Sequence, residues 1–214
     1  MSSEFLLIAL CSPSGAGKTT LTKTLLAHFA DLRFSVSHTT RAPRVNETDG
    51  KDYHFVDRVT FEAEVARGAF LEWAHVHANL YGTSLAEIDR AQTSEGVGGI
   101  IFDIDYQGAR QIRAKRDDLV SIFVLPPSME ELERRLRGRK SETEATFQRR
   151  FSAAKHEIEQ YAFFDYVIVN DTLERAADEL RAIVLAERAR RSRRASLAEG
   201  LLRSGYVTTD ESVG

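Results

Sequence analysis

A short apolar run, Phe5–Cys11, leads directly into the stretch CSPSGAGKTT, and this combination constrains the fold more than any other feature of the chain. An unbroken apolar run of this length before a Gly/Ser/Pro loop is typical of a strand that is buried on both faces. After the loop, from Lys18 to about Phe29, apolar residues recur at helical spacing: Leu21, Leu25, Leu26 and Phe29. The sequence therefore predicts a strand, a loop and a helix in that order.

The residue types inside this loop are those that a phosphate-binding loop requires. Gly15 and Gly17 would let backbone N–H groups converge on a phosphate at the positive N-terminus of the following helix. Lys18 would reach the β- and γ-phosphates of a nucleotide, and the Thr19 hydroxyl would bind the Mg²⁺ that bridges them. The residues predicted to bind these phosphates are Ser12, Pro13, Ser14, Gly15, Ala16, Gly17, Lys18, Thr19 and Thr20.

A simpler interpretation of the loop stays open. Ser12 stands where the phosphate-loop pattern has its first glycine, and a side chain fits there only if the backbone remains in a region open to a Cβ. A Ser/Gly turn that merely caps a helix would use the same residue types. The preceding strand and the following helix are the context that a functional loop needs, so they favour the phosphate site.

Length and charge restrict the class of protein. The chain has 214 residues, of which 43% are hydrophobic and 29% are charged, as expected for a globular domain and not for a disordered chain. The net charge of -3 gives no reason to expect nucleic acid or a membrane as partner. The single cysteine, Cys11, is expected to be a small buried thiol. No long apolar segment or basic leader is present, so we expect a cytoplasmic protein.

The remainder of the chain alternates between apolar runs and helical patterns. Three further runs predict core strands: one that ends at Asp105, Leu119–Leu125 and Tyr166–Val169. Helical patterns cover residues 107–116, 128–137, 143–161 and 172 to about 194. This alternation predicts an α/β fold with a doubly wound parallel sheet.

Two segments interrupt the alternation. Between residues 34 and 96, shorter polar and aromatic runs predict an inserted antiparallel subdomain with a helix near residues 60–67. The segment 138–155 contains few apolar residues at its start, has Ser141 and Glu144 at capping-box spacing, and is expected to form a mobile lid. The other segments are the predicted core, 1–33, 97–137 and 156–195, and a flexible C-terminal tail, 196–214.

Within the predicted subdomain, SVSHTTRAPR places Arg41 and Arg44 three positions apart. Two guanidinium groups can bind a phosphomonoester bidentately, and the hydroxyls of Tyr53 and Tyr81 could complete the cage. Such an arginine pair, taken alone, is more often part of a solvated basic loop.

Together these segments resemble the guanylate kinase family, from about Phe5 to Arg188. The shared stretches, in the family's order, are SPSGAGKTTL, SVSHTTRAPR, DGKDYHF, FLEWA, YGTS, DIDYQGA, LPPS, RLRGR and VIVND. The resemblance implies a P-loop enzyme of purine metabolism that transfers the γ-phosphoryl group of ATP to GMP, and to dGMP as well, with Mg²⁺ as cofactor. It does not exclude a homo-oligomer.

The resemblance also implies roles in the acceptor site. Ser37, Glu72 and Thr83 would contact the guanine base, and the GMP phosphate would be held by Arg41, Arg44, Tyr53 and Tyr81. A carboxylate at position 72 can accept from the N1–H and N2 amino donors of guanine, which adenine does not offer. Taken alone, Glu72 beside Trp73 would more often be a surface acid on an edge strand.

Two aspartates, Asp103 and Asp105, are two positions apart on a predicted strand, so both are expected on one face at its carboxyl end. By resemblance they would face the Mg²⁺–phosphate region and GMP. Which of them binds metal through water, and whether either accepts a proton, stays open. A helix-capping role for Asp105 is compatible with these functions.

The lid and the last strand supply the remaining candidates. By resemblance, Arg139 and Arg150 would neutralise the transferring phosphoryl group, with Arg149 as an adjacent competitor. By resemblance, Asn170 would contact the adenine of ATP, although an asparagine at a strand end is as often a turn former. The predicted catalytic residues are thus Lys18, Asp103, Arg139 and Arg150.

Three other functions fit parts of the sequence. A guanylate-kinase-like binding module would lack Lys18 and the phosphate contacts, which this chain retains. A GTPase switch could use DYQG but would need an N-K-x-D motif, which the sequence does not contain. A sister kinase acting on a phosphorylated ribose is the closer rival, and Glu72 and Ser37 argue against it.

Overall fold

A computed structural model describes residues 5–76, 78–138 and 144–205. Its strands are β1 (Leu6–Cys11), β2 (Leu32–Phe34), β3 (His38–Thr39), β4 (His54–Phe55), β5 (Phe70–Val76), β6 (Asn79–Ser84), β7 (Gly99–Asp103), β8 (Leu119–Leu125) and β9 (Tyr166–Val169). Its helices are α1 (Lys18–His28), α2 (Arg58–Ala66), α3 (Leu85–Thr93), α4 (Tyr106–Lys115), α5 (Met129–Arg137), α6 (Glu144–Ile158), α7 (Leu173–Arg188) and α8 (Arg191–Gly205). A 3₁₀ helix, Glu159–Phe163, follows α6 directly.

Five strands form a parallel sheet in the order β2-β7-β1-β8-β9. The six residues of β1 are all buried, and successive side chains enter two different clusters. Leu6, Ile8 and Leu10 pack with residues of α1 and α7. Leu7, Ala9 and Cys11 pack on the other face with residues of α3 and α4. Helices therefore cover both faces of the sheet, and the predicted doubly wound class is confirmed.

The second sheet has the order β4-β3-β6-β5 and belongs to the predicted inserted segment. Strand β6 is antiparallel to both β3 and β5, whereas β3 and β4 are parallel, so the sheet is mixed and not wholly antiparallel as expected. Phe61 of α2 and Phe70 of β5 stack with ring centroids 4.6 Å apart and form the small core of this region with Leu80. The sequence did not predict α3, which runs from this sheet back to the parallel one.

Side-chain caps fix several helix starts. The residue before the helix accepts a hydrogen bond from a backbone N–H of the first turn at Asp57, Ser84, Asp105, Ser128 and Thr172. At α4 this cap changes the predicted boundary, because β7 ends at Asp103 and Asp105 belongs to the helix start. The expectation that both aspartates lie on one strand is therefore wrong.

The C-terminal part of the chain also differs from the prediction. Helix α7 ends at Arg188 and a separate helix, α8, runs from Arg191 to Gly205. The predicted single helix to about residue 194 is thus interrupted, and residues 196–205 of the predicted tail are helical. Arg193 explains the turn, because its guanidinium donates to the carbonyl oxygens of Phe5 and Asp118, both at 3.0 Å. No helix in the described ranges is both long and apolar enough to cross a membrane.

Helices α5 and α6 form one packed unit beside the phosphate loop. Leu132 and Leu136 of α5 pack against Phe147 and Ala154 of α6. The Arg137 guanidinium lies 3.8 Å from the centroid of the Phe147 ring. The predicted cap at Ser141 lies outside the described residues, which contain Gly138 and residues 144–155 of the predicted lid.

Candidate active site

A cavity of about 480 Å³ lies where β1 and β7 end, between the phosphate loop, the mixed sheet and α6. Most of the residues predicted from the sequence line it: Ser12, Pro13, Ser14, Gly15, Gly17, Lys18, Thr19, Thr20, Ser37, Arg44, Tyr53, Glu72, Tyr81, Asp103, Asp105 and Arg150. Segments far apart in the sequence therefore meet at the carboxyl ends of the parallel strands, where α/β sheets bind ligands.

The phosphate loop requires its glycines for two separate reasons. Gly15 and Gly17 have φ angles of 95° and 96°, in the left-handed region that glycine adopts without strain. In addition, a Cβ on Gly17 would lie 2.2 Å from Nδ2 of Asn170. Gly17 precedes α1 with no side-chain cap, so the N-terminus of that helix is open toward the cavity. Ser12 donates from its hydroxyl to the Pro13 carbonyl at 3.1 Å.

Asn170 supports the loop from beneath. Its side chain is buried and its Nδ2 donates to the Ala16 carbonyl at 2.7 Å. Arg135 adds a second support, because its Nη2 donates to the Asn170 carbonyl at 3.0 Å. Asn170 thus supports the loop through the carbonyl of Ala16, one of the loop's own residues, and a contact of Asn170 to adenine stays a prediction.

Lys18 is held at the centre of the cavity by the end of β7. Its ammonium forms an ion pair with the Asp103 carboxylate and donates to the Ile104 carbonyl at 3.0 Å. Burial would lower the pKa of Lys18, but the adjacent Asp103 carboxylate outweighs it and raises that pKa above the ordinary value. Lys18 is therefore a fixed positive charge beside the loop.

Asp105 lines the same cavity from the start of α4. Its Oδ1 accepts from the backbone N–H of Gly108 at 2.9 Å, and its Oδ2 accepts from Nε2 of Gln107 at 3.2 Å. The capping role is therefore real and occupies one carboxylate oxygen. The peptide carbonyl of Asp105 faces the buried Cys11 thiol at 3.5 Å, and burial raises the pKa of that thiol far above its usual range. Cys11 is a packing residue, as predicted.

Glu72 lines the cavity from β5 and is only 4% exposed. It pairs in register with Thr83 of β6, and the Ser37 and Thr83 hydroxyl oxygens are 3.5 Å apart. Burial raises the pKa of Glu72 to about 7, although the hydrogen bond to Thr83 opposes this rise. A Cβ on Gly108 would lie 2.6 Å from Oε2 of Glu72, so the glycine makes room for the carboxylate. Glu72 is therefore a buried acid and not a surface one.

The predicted phosphate cage consists of two arginines, Arg41 and Arg44, and two tyrosines, Tyr53 and Tyr81. Arg41 donates from Nε to the Tyr81 hydroxyl at 3.2 Å and from Nη2 to Glu47 Oε1 at 2.8 Å. Glu47 also accepts from the backbone N–H of Arg44 at 2.8 Å, and the Arg44 side chain is 71% exposed. The Glu47 hydrogen bond raises the pKa of Arg41 above its ordinary value. Arg41 itself does not line the cavity, but it contacts Tyr81, which does. Glu47, which the sequence did not indicate, holds Arg41 in place.

Helix α6 contributes one face to the cavity. Arg150, Ala153 and Glu157 are spaced three and four residues apart, so they share that face. Glu157 was not predicted; its Oε2 accepts from the backbone N–H of Ser14 at 3.3 Å. Burial raises the pKa of Glu157, and the Ser14 amide opposes the rise. A carboxylate therefore contacts an amide of the phosphate loop. Arg139, the other predicted lid arginine, lies outside the described residues.

Mg²⁺ fits the donor atoms of this cavity. The Thr19 hydroxyl and the Asp103 and Asp105 carboxylates are oxygen ligands of the kind that Mg²⁺ prefers, and all three residues line the cavity. Within the described residues, no group of three or more His, Cys, Asp or Glu side chains could hold a metal by itself. An ion here would need phosphate oxygens as further ligands, as is usual for Mg²⁺ in kinase sites.

Comparison with known proteins gives one consistent result. The family model described as guanylate kinase matches residues 5–187, so α8 lies beyond it. The guanylate kinase of Myxococcus xanthus is 52% identical over 189 residues, which cover 88% of this chain and 90% of that protein. The guanylate kinase of Syntrophotalea carbinolica is 50% identical over 188 residues, covering 88% and 89%. The crystal structure of guanylate kinase from Anaplasma phagocytophilum matches with a TM-score of 0.75 and 36% identity, covering 94% of this chain and 95% of that one. The chain belongs to the guanylate kinase family.

Proposed function

We propose that this chain transfers the γ-phosphoryl group of ATP to GMP and so produces ADP and GDP. The observation that supports this proposal most directly is the single cavity that the phosphate loop and the buried Glu72 carboxylate both line. The phosphate chain of one nucleotide and the base of another can occupy opposite ends of such a cavity. The names of the curated relatives point to the same reaction.

The phosphate loop would bind the donor. Its backbone N–H groups and the open N-terminus of α1 attract phosphate oxygens. Lys18 would exchange its contact with Asp103 for the β- and γ-phosphates. Mg²⁺, held by Thr19 and one or both cavity aspartates, would neutralise phosphate charge and orient the γ-group. Glu157 would leave the Ser14 amide as ATP binds, because both require the same donor.

The mixed sheet would bind the acceptor. Glu72, ionised, would accept from N1–H and the N2 amino group of guanine, with Thr83 and Ser37 beside it. Arg44, Tyr53 and Tyr81 would hold the GMP phosphate at the cavity wall, with Arg41 behind Tyr81. Adenine offers an acceptor at N1 and would leave the buried carboxylate without its donors, which costs binding free energy.

In the transfer step, an oxygen of the GMP phosphate forms a bond to the γ-phosphorus while the bond to the β,γ-bridging oxygen breaks. A phosphate monoester is mostly dianionic at neutral pH, since its second pKa is about 6. The acceptor therefore needs positioning and charge neutralisation more than a general base. Arg150 faces the cavity from α6 and would stabilise the charge on the moving group, and we assign the same role to Arg139.

We also propose that the reaction depends on Mg²⁺, that dGMP is a second acceptor, and that the chain acts in the cytoplasm, where both nucleotides are available. The assay couples ADP formation to NADH oxidation with ATP and one acceptor at a time: GMP, dGMP, IMP, AMP, CMP or ribose 5-phosphate. We expect turnover with GMP and dGMP, and we expect EDTA to abolish it when ADP is measured directly by chromatography, without coupling enzymes that themselves need Mg²⁺. Absence of ADP formation with GMP at high enzyme concentration, or a preference for ribose 5-phosphate, would overturn the proposal.

A further inference from the structure

We propose that Gln111 of α4 is a positioning residue for guanine recognition, because it holds the strand that carries Glu72. This inference rests on the proposed function and names a specificity determinant for the same site. Gln111 lies outside the cavity lining and bonds to the backbone of Trp73, so its effect would be transmitted through β5.

The contact is a bidentate pair of hydrogen bonds. Gln111 accepts with Oε1 from the Trp73 backbone N–H at 3.1 Å and donates from Nε2 to the Trp73 carbonyl at 2.7 Å. Strand β5 is at the edge of the mixed sheet, so the outward backbone groups of Trp73 have no neighbouring strand there. The side-chain amide of Gln111 supplies the two hydrogen bonds that a neighbouring strand would make to the Trp73 backbone.

Two more residues of α4 face the same strand. Lys115, four residues after Gln111, donates from Nζ to the Leu71 carbonyl at 2.5 Å, on the other side of Glu72. Gly108, three residues before Gln111, leaves the space that the Glu72 carboxylate occupies. The face of α4 defined by these three residues therefore holds the backbone on both sides of Glu72 and accommodates its side chain.

The segment of β5 that α4 holds is one whose register is only weakly fixed by its pairing with β6. The pairing of β5 with β6 is irregular between Phe70 and Glu72. A strand with such an irregularity at the edge of a sheet depends on other contacts to aim its side chains. The buried carboxylate must meet two donors of a planar base, so a small rotation of β5 would weaken both hydrogen bonds.

The same helix links the two ends of the cavity. Helix α4 starts at the Asp105 cap, two residues after Asp103, which pairs with Lys18. Gln111 follows within the next two turns. A single rigid element thus sets the distance between the phosphoryl-transfer region and the base-recognising carboxylate.

The test is Gln111→Leu, which keeps the approximate volume and removes both hydrogen bonds. We expect the KM for GMP to rise about five- to tenfold, because two strand-holding bonds are lost, while the KM for ATP stays within about twofold. The preference for GMP over IMP, which lacks the N2 amino group, should fall. Arg110→Ala is the matched control, since this exposed neighbour on α4 contacts Gln160 and Phe163 instead of β5.

A double-mutant cycle with Glu72→Gln separates positioning from a purely structural role. If Gln111 acts through Glu72, Gln111→Leu should change the KM for GMP less than about twofold in the Glu72→Gln background. Additive effects, or equal changes in both substrate KM values with an unchanged GMP/IMP preference, would overturn the inference. If Gln111→Leu does not fold, Lys115→Met provides the same test with a smaller expected rise. If the wild type phosphorylates GMP and either of these contrary results is found, the inference about Gln111 is refuted while the proposed function stands.

Discussion

The affinity for GMP should fall as the pH is lowered from 8 to 6, because Glu72 must be ionised to accept from guanine. Burial raises the pKa of Glu72 in the ligand-free chain to about 7. The N1–H and N2 donors of guanine would lower the pKa of this carboxyl in the complex. Where Glu72 is protonated, GMP binding must therefore release its proton. The affinity for GMP approaches its limiting value as the pH rises above 7 and is lost as the pH falls below 7.

The size of the effect follows from that pKa. With a pKa of about 7, the protonated form of Glu72 outnumbers the ionised form about tenfold at pH 6 and is about one tenth of it at pH 8. The apparent Kd for GMP is then about 11 times its limiting value at pH 6 and about 1.1 times at pH 8. The ionisation of Glu72 alone should therefore weaken the affinity about tenfold over this range, and the second ionisation of the GMP phosphate near pH 6 should bring the total to roughly twentyfold.

Isothermal titration calorimetry of GMP at pH 6, 7 and 8 measures this change. Repeating the titration at pH 7 in two buffers of different ionisation enthalpy should show release of about half a proton. Glu72→Gln is the control: it should retain only the roughly twofold dependence that comes from the second ionisation of the GMP phosphate near pH 6. Equal pH dependence in the two proteins would refute the assignment of Glu72 to the base.

Three further predictions concern the phosphate loop. Lys18→Met should reduce turnover at least about a thousandfold while the Kd for GMP stays within about twofold by calorimetry; near-normal turnover would remove Lys18 from the donor site. Gly17→Ala should lower the free energy of unfolding by about 1–3 kcal/mol in urea titrations, because its Cβ would strain a left-handed position and collide with Asn170; unchanged stability would contradict the loop geometry. Glu157→Gln should lower the KM for ATP about threefold, because a neutral acceptor binds the Ser14 amide less tightly; a higher KM for ATP would show that the carboxylate assists the donor.

The parallel sheet could be predicted because burial on both faces leaves a clear sequence signal. The bounds of β8 and β9 agree with the apolar runs residue for residue. The phosphate loop could be predicted because backbone approach to a phosphate restricts residue types at Gly15, Gly17 and Lys18. In both cases a local physical requirement acts on consecutive residues, and the sequence records it directly.

Boundaries that depend on distant contacts could not be predicted. Ile104 is buried and extends the apolar run after β7, so the run alone does not separate the strand end from the helix cap at Asp105. Residues Ala189 and Arg190 are good helix formers, yet α7 ends before them. The cause is the anchoring of Arg193 to Phe5 and Asp118, which lie far away in the sequence.

The candidate site shows the same limit. Its residues were predicted from the loop pattern and from resemblance, but the supporting contacts were not. Asn170 meets Ala16 across 154 positions and Glu157 meets Ser14 across 143. Gln111 contacts Trp73 across 38 positions. No periodicity or spacing rule links such pairs, because their proximity results from the packing of separate elements.

One cavity should thus bind the ATP phosphates at its loop and recognise guanine at Glu72. The decisive measurement is kcat/KM for GMP relative to AMP, in the wild type and in Glu72→Gln at saturating ATP. We expect the wild type to prefer GMP by a factor of about 10³ or more. In Glu72→Gln we expect a loss of at least about tenfold in that preference, with the KM for ATP within about twofold of the wild type. An unchanged preference in the variant, or a wild type that phosphorylates AMP as well as GMP, would show that Glu72 does not select guanine in this cavity.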